Sequence, residues 1–364
     1  MAASDGKVPG PVAPLREMGK RGGRAASRRL KIGVIGFGKF GQFIAKTFVK
    51  DHDVVGMGRG DYTIPAKEMG AQFYPQFEAS EFFANDLDVV VFAVSILSFE
   101  EVLKSIPLDF LSGKLVVDVL SVKIHAKQTM MKYLPQDADI LCTHPMFGPE
   151  SGKDSWLGLP FLYDRVRITD HGRAGDFLSI WEAERCKMVE MSCELHDKYA
   201  ANTQFITHLM GRILGKQGLS RTPIDTQGFA SALRLMETTC ADSFELFYGL
   251  FRYNPHSHEQ LRRLRESFAE VERQLAAKEA YLAAKSEMVD QDRQRILAEF
   301  RSLIQEAANT AAKTATDKIL AENPAAMSAN VTALEESDGK RDPLESKMDS
   351  ATGGRDRSSR NGIR

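Results

Sequence analysis

In the stretch CTHPMFGPESGK, residues 142–153, a histidine follows the apolar run ADILCT directly and has proline and glycine around it. A histidine that only fills a core needs no such punctuation, whereas one displayed at a strand end beside a pocket does. Neutral imidazole accepts protons near pH 7, so His144 suits general-base chemistry. A second strand end of this kind is KLVVDVLSVK, which delivers Ser121 and Lys123 just past its apolar run. Ser121 has a competing role as N-cap of the helix spelled VKIHAKQTMMKYL. No G-x-S-x-G elbow surrounds it, which argues against a serine hydrolase.

The segment KIGVIGFGKFGQFIAKTF carries the other chemistry. A strand runs into Gly36-x-Gly38-x-x-Gly41, and a helix with apolar Phe40, Phe43, Ile44 and Phe48 follows at once. The three glycines provide a tight turn, close backbone approach to a pyrophosphate and close helix–strand packing. The helix N-terminus adds free N–H groups and positive potential for phosphates. A glycine turn without a ligand is the bland alternative. The expected cofactor contacts are Gly36, Phe37, Gly38, Lys39, Phe40 and Gly41, with Arg59 and Ser95. An NAD site places Asp or Glu at the tip of the second strand, but HDVVGMGRGDY presents Gly58 and then Arg59. Arginine there suits a 2′-phosphate, so NADP is expected ahead of NAD. Asp61 competes as a ribose ligand if the strand runs further, and Arg59 can instead be simply solvated.

These residues need elements to hold them, and the periodicity supplies a scheme. The chain has 364 residues, 43% of them hydrophobic, enough for two domains with cores. Residues 1–29 are basic and aperiodic, read as a disordered leader or part of an organelle transit peptide. Residues 30–193 alternate short apolar strands with helical stretches, the pattern of an α/β Rossmann-type, doubly wound parallel sheet. Its strands are KIGVIG, HDVVGM, LDVVVFAV, KLVVDVL, ADILCT, PFLYD and KMVEM. Residues 194–322 lose strand signals and read as an all-helical domain, and 323–364 read as a disordered tail. Net charge is −1 with signs mixed, so nothing in bulk charge suggests nucleic acid or a membrane surface, and no apolar run approaches a membrane span. Four scattered cysteines without C-x-x-C spacing predict free thiols and no metal site.

The glycine fingerprint together with DVLSVK, THPMFGPESG, HDKYAANTQFITHLMGR and TTCADSFELFYGLFRYN resembles the arogenate/prephenate dehydrogenase family, most of all its plant-type arogenate dehydrogenases. The likeness runs from about residue 30 to residue 255. It implies a Rossmann domain followed by a helical domain that dimerises, in an oxidoreductase of tyrosine biosynthesis. In the implied reaction a cyclohexadienyl substrate loses hydride from C4 to a nicotinamide and its hydroxyl proton to a base, and loss of CO2 aromatises the ring. His144 then matches the family's catalytic histidine, Ser121 the serine that orients it and the cofactor, and Glu150 an acidic residue at the site mouth.

The resemblance also implies substrate contacts in the helical domain. Gln204 and His208 lie one turn apart and so share a helix face, and His208 matches a family histidine of substrate binding. A helix-face histidine bonded to a neighbour is the alternative. Arg234 is a candidate for the ring carboxylate, since a guanidinium is chemically apt there. Asp242 is the residue that would choose arogenate, whose side chain carries an ammonium, over prephenate, whose side chain ends in a keto acid. It can instead cap a turn or face solvent. Beyond residue 255 the chain is rich in Ala, Glu, Leu, Arg and Lys, with Leu261, Leu264, Phe268 and Val271 at helical spacing, which suits packing on the domain or a second subunit in a homodimer, with an isolated helical hairpin as the other option. The expected activity is an NADP-dependent arogenate dehydrogenase, plastidic if the leader is a transit peptide and cytoplasmic otherwise. A prephenate dehydrogenase, a related hydroxyacid or imine reductase, and a non-catalytic dinucleotide sensor are the competing readings.

Overall fold

A computed structural model describes residues 28–322, so most of the expected basic leader and all of the C-terminal tail lie outside the described residues. The chain begins with β1 (Lys31–Ile35), α1 (Lys39–Phe48), β2 (Asp53–Gly58), α2 (Thr63–Met69) and β3 (Gln72–Pro75). Next come α3 (Ala79–Phe83), β4 (Val89–Phe92), α4 (Phe99–Ser105), β5 (Leu115–Asp118), α5 (Lys123–Tyr133), β6 (Asp139–Pro145) and β7 (Pro160–Arg167). They are followed by α6 (His171–Ala183), β8 (Lys187–Glu190), α7 (Cys193–Ala200), α8 (Ile206–Lys216), α9 (Gln227–Ala241), α10 (Phe244–Tyr253) and α11 (Ser257–Glu322). A π-helical turn, Ala201–Phe205, joins α7 to α8.

One eight-stranded sheet has the order β3-β2-β1-β4-β5-β6-β7-β8. The first six strands are parallel. Their order 3-2-1-4-5-6 puts a crevice between β1 and β4, where successive crossovers diverge and ligands bind beyond the carboxyl ends. β4 and β5 read VVVF and LVVD because helices cover both of their faces. Side chains alternate between two cores: Val34, Val91, Val117 and Leu141 enter one, and Val90, Val116 and Ile140 the other.

Two features depart from the sequence reading. The short strand β3 was not expected, because its QFYP has no alternating apolar pattern. β7 was expected in a parallel sheet but runs antiparallel to β6, in register from Pro145–Phe161 through His144–Leu162. The connection between them holds no helix, and a parallel return needs a longer crossover.

After Glu190 every regular element among the described residues is helical. The described residues up to Glu270 form one compact unit, and those from Val271 onward a second. Within the first, α10 approaches the β4 end so closely that a Cβ on Gly249 would lie 2.3 Å from Ile96 Cγ2. Along α11, Phe268, Leu275, Leu282, Val289, Ile296 and Leu303 recur every seventh residue and are exposed. Among the described residues no helix is long and apolar enough to cross a membrane, and no cluster of His, Cys, Asp and Glu could hold a metal ion. Cys142, Cys186, Cys193 and Cys240 are free thiols.

Candidate active site

The crevice between β1 and β4 is a cleft of about 550 Å³ lined by Gly36–Gly38, Gly58–Gly60 and Ala93–Ser95, residues at or just beyond the ends of β1, β2 and β4. Gly36 has φ +95°, and a Cβ on it would meet the Ala93 carbonyl oxygen at 2.6 Å. A Cβ on Gly41 would stand 2.1 Å from the Gly36 carbonyl oxygen, so α1 can cross this close to the turn only with glycine there. Gly38, the N-cap of α1, has open space around it and no side chain to cap the helix. The first N–H groups of α1 are therefore left for an anion. This cradle fits the pyrophosphate of a dinucleotide.

Arg59 lines the cleft one residue beyond β2. Asp61, its rival, accepts hydrogen bonds from Thr63 N at 3.0 Å and Thr63 Oγ1 at 2.7 Å, and so is spent on the start of α2. Phe37 contributes backbone to the cleft, but its ring is fully buried against Tyr62 and Phe73. Ser95 lines the cleft and its Oγ accepts from Leu97 N at 3.3 Å. Lys39 and Phe40 occupy the first turn of α1, where Phe40 packs on Phe43.

A second polar cluster sits at the carboxyl ends of β5 and β6. Lys123, fully buried, pairs with Asp118 and donates to the Thr143 carbonyl at 2.5 Å, while Thr143 Oγ1 donates to the Asp118 carbonyl at 2.6 Å. These bonds tie the ends of two adjacent strands together. Burial pushes the Asp118 carboxyl above its usual range against the pull of Lys123. Beside them His144 is 3% exposed. Its Nδ1 lies 2.9 Å from His196 Nε2, and His196 Nδ1 lies 2.8 Å from Asp197 Oδ1. Asp197 also accepts from Lys123 N at 2.8 Å and Ile124 N at 2.9 Å, capping α5. Its own carbonyl accepts from Asn254 Nδ2 at 2.8 Å, which fastens the end of α10 to α7. Burial, with His196 and Lys123 adding to it, holds the His144 pKa well below the ordinary histidine value of 6.5, so the ring is neutral at pH 7. Burial lowers His196 as well, although Asp197 opposes it.

The third cluster lies on α8 and the turn before it. Gln204 Oε1, His208 Nδ1 and Arg212 Nε are buried atoms without a hydrogen-bond partner among the described residues. They recur every fourth residue and so project along one face. Burial lowers the His208 pKa against Asp242, whose Oδ2 is 3.8 Å from His208 Nδ1. Arg212 Nη2 donates to the carbonyls of Asp242 and Ser243 at 2.8 and 2.9 Å, and the guanidinium lies over Phe244 and Phe247. Buried donors and acceptors left open in this way suit a polar ligand.

Ser121 is half-buried and its hydroxyl makes no hydrogen bond among the described residues; α5 starts at Lys123 with Val122 as N-cap. The alternative N-cap role is thus filled by Asp197. Glu150 is exposed on the turn after β6, where Ser151 Oγ accepts from Gly148 N at 3.1 Å and a Cβ on Gly152 would lie 2.8 Å from the Phe43 ring. Arg234 is exposed on α9 and has no side-chain partner among the described residues. His196, Asp197 and Arg212 are not legible as site residues in the sequence, and Lys123 is legible only as a polar residue at a strand end. The His-Asp pair at the start of a helix was the one visible signal for the first two.

Residues 31–122 match the family described as "NADP oxidoreductase coenzyme F420-dependent", and residues 213–287 the one described as "TYRAAT1-like, C-terminal domain". The chain is 53% identical over 255 residues to arogenate dehydrogenase 2, chloroplastic, of Arabidopsis thaliana, across 68% of this chain and 71% of the relative. It is 49% identical over 253 residues to arogenate dehydrogenase 1, chloroplastic, of the same plant, across 68% of this chain but 39% of that longer relative. Among solved structures, prephenate dehydrogenase from A. aeolicus in complex with hydroxyphenyl propionate and NAD+ superposes with a TM-score of 0.57 at 18% identity, over 75% of this chain and all of the other. Synechocystis arogenate dehydrogenase gives 0.52 at 17% identity, over 73% and 99%. At such identities the two structures speak for the fold.

Proposed function

The chain belongs to the arogenate dehydrogenase family, and from that premise we propose that it converts L-arogenate to L-tyrosine and CO2 with NADP as oxidant. The observation that carries this reading is His144, a buried neutral imidazole at the carboxyl end of β6, the sheet edge that also holds the glycine cleft. A bound nicotinamide supplies the acceptor for the C4 hydrogen as hydride. Gly36, Gly38 and the start of α1 hold its pyrophosphate, and Arg59 pairs with the 2′-phosphate that only NADP carries. His144 takes the proton of the 4-hydroxyl, which frees the oxygen to become a carbonyl. Once CO2 has left and the ring is aromatic, the same imidazole can return a proton to the phenolate oxygen. Ser121, free of other bonds, and Glu150 at the site mouth line the path to it.

Gln204, His208 and Arg212 supply counter-groups for the substrate's polar ends. Arg212 suits a carboxylate better than Arg234 does, because its open Nε is buried on the same face as His208, whereas Arg234 is exposed. Asp242, beside His208 and with a side chain 47% exposed, meets the ammonium of arogenate. A charge-assisted hydrogen bond there is worth about 1.5–3 kcal/mol, or one to two decades in relative kcat/KM. The test is kcat/KM for arogenate and prephenate, each with NADP and NAD, in the parent enzyme and Asp242→Asn. Arogenate with NADP should be preferred, and the variant should move towards prephenate. A parent enzyme that prefers prephenate, or a ratio that asparagine leaves alone, refutes this reading.

The heptad stripe of α11 supports a homodimer through the helical region. Two parallel copies would set Lys278, Lys285, Asp292 and Glu299 each against its own kind, whereas antiparallel copies bring the lysines towards the acids. Sedimentation of Leu282→Glu should then show a smaller species than the parent chain. Work in the plastid is supported by both Arabidopsis relatives, which are named chloroplastic.

A further inference from the structure

The resemblance gives Ser121 the task of orienting His144, yet the group that touches the imidazole is His196. We propose that His196 and Asp197 form a positioning pair that decides which nitrogen of His144 is the base. The inference rests on the reading of His144 as the proton acceptor, and it names what makes that acceptor usable.

The Asp197 carboxylate accepts and cannot donate, and it already receives the backbone N–H groups of Lys123 and Ile124. The 2.8 Å contact with His196 Nδ1 therefore puts the His196 proton on Nδ1. A neutral His196 then offers a lone pair at Nε2, and the 2.9 Å contact requires His144 to donate from Nδ1. That leaves Nε2 of His144 unprotonated and free of the relay, which is the state a general base must hold before turnover. Once His144 has taken a proton, the Nδ1–H bond to His196 strengthens and the Asp197 carboxylate balances the charge, as a buried aspartate does for the histidine of a hydrolytic triad.

The arrangement is held from several elements. His196 and Asp197 come from α7, Lys123 from α5, and Asp118 and Thr143 from the ends of β5 and β6. Among the described residues Lys123 is the one cation facing the pair, and Asp118 pairs with it. Because Asp197 caps α5 while it orients His196, the orientation of the base is tied to the packing of the helical segment on the sheet. A wrong tautomer would put a proton on the nitrogen that must accept one, which is why a partner two residues removed from the substrate can control the rate.

The test has a spectroscopic arm and a kinetic arm. In the parent protein labelled with ¹⁵N-histidine, NMR should find both His144 and His196 protonated on Nδ1 at neutral pH. A His144 protonated on Nε2 overturns the proposal. His196→Leu removes the acceptor. It should lower kcat by about 10–100-fold while changing KM for arogenate by less than about threefold, the pattern for losing a partner of a working group. His196→Gln, which keeps an oxygen acceptor, should recover most of the loss. Unchanged kcat in folded His196→Leu, or no recovery in His196→Gln, overturns the proposal. Failure of the parent enzyme to oxidise arogenate would refute the functional reading instead, and the NMR arm would still decide the positioning pair.

Discussion

Replacing Lys123 with methionine should destabilise the protein more than any other single change near the site. Lys123 and Asp118 are both fully buried, so the substitution strands a carboxylate that water cannot reach. Breaking a buried pair from one side costs about 3–5 kcal/mol. The Thr143 carbonyl loses its ammonium donor as well, next to His144. Converting both residues, Lys123→Met with Asp118→Leu, removes the stranded charge but leaves the Leu120 N–H without its acceptor. The double variant should therefore regain at least about 2 kcal/mol without reaching the parent, a coupling of the size contacting residues show. The sign with pH follows from Asp118. Its folded pKa lies above the ordinary value of 3.8, so the native state keeps a proton that the unfolded chain gives up. In Lys123→Met the pKa rises further, and the cost should be larger at pH 8 than at pH 5. Urea unfolding of the parent, both single variants and the double variant at those two pH values measures all of this. A loss below about 1 kcal/mol in Lys123→Met, or no coupling in the cycle, would refute the account of Lys123 as the staple of the β5 and β6 ends.

Three further outcomes are expected. His144→Asn should keep the fold and dinucleotide binding yet lower kcat by about 10²–10⁴, the worth of a positioned base, and turnover near the parent value would remove His144 from the mechanism. Arg59→Ala should raise KM for NADP and leave that for NAD almost unchanged; equal effects on both would mean that Arg59 does not read the 2′-phosphate. Stability should fall as pH drops below about 6.5, because the unfolded chain then binds protons that buried His144, His196 and His208 refuse, each costing up to about 1.4 kcal/mol per pH unit. Denaturant unfolding between pH 7.5 and 5.5 checks this, and a flat profile would contradict the burial of those rings.

What the sequence determined by itself is local in origin. The glycine turn is legible because only glycine tolerates the positive φ at Gly36 and the close crossing at Gly41, and both constraints act within a few residues. β1, β2, β4, β5 and β6 are legible because strands buried on both faces must be continuously apolar. His144 stood out because its flanking residues are unusual for a core position. The tertiary structure decided what lies beyond that range. Nothing near Asp197 in the chain says that it caps a helix starting 74 residues earlier, or that His196 meets an imidazole 52 residues away. The antiparallel course of β7, the burial of Lys123 on Asp118, and the open polar atoms of Gln204, His208 and Arg212 belong to the same class. Each depends on which surfaces meet after the chain has closed, and on whether water still reaches a polar group once they have. The sterics of a turn and the period of a strand are written in neighbouring residues, whereas the desolvation that makes His144 a neutral base is a property of the assembled site.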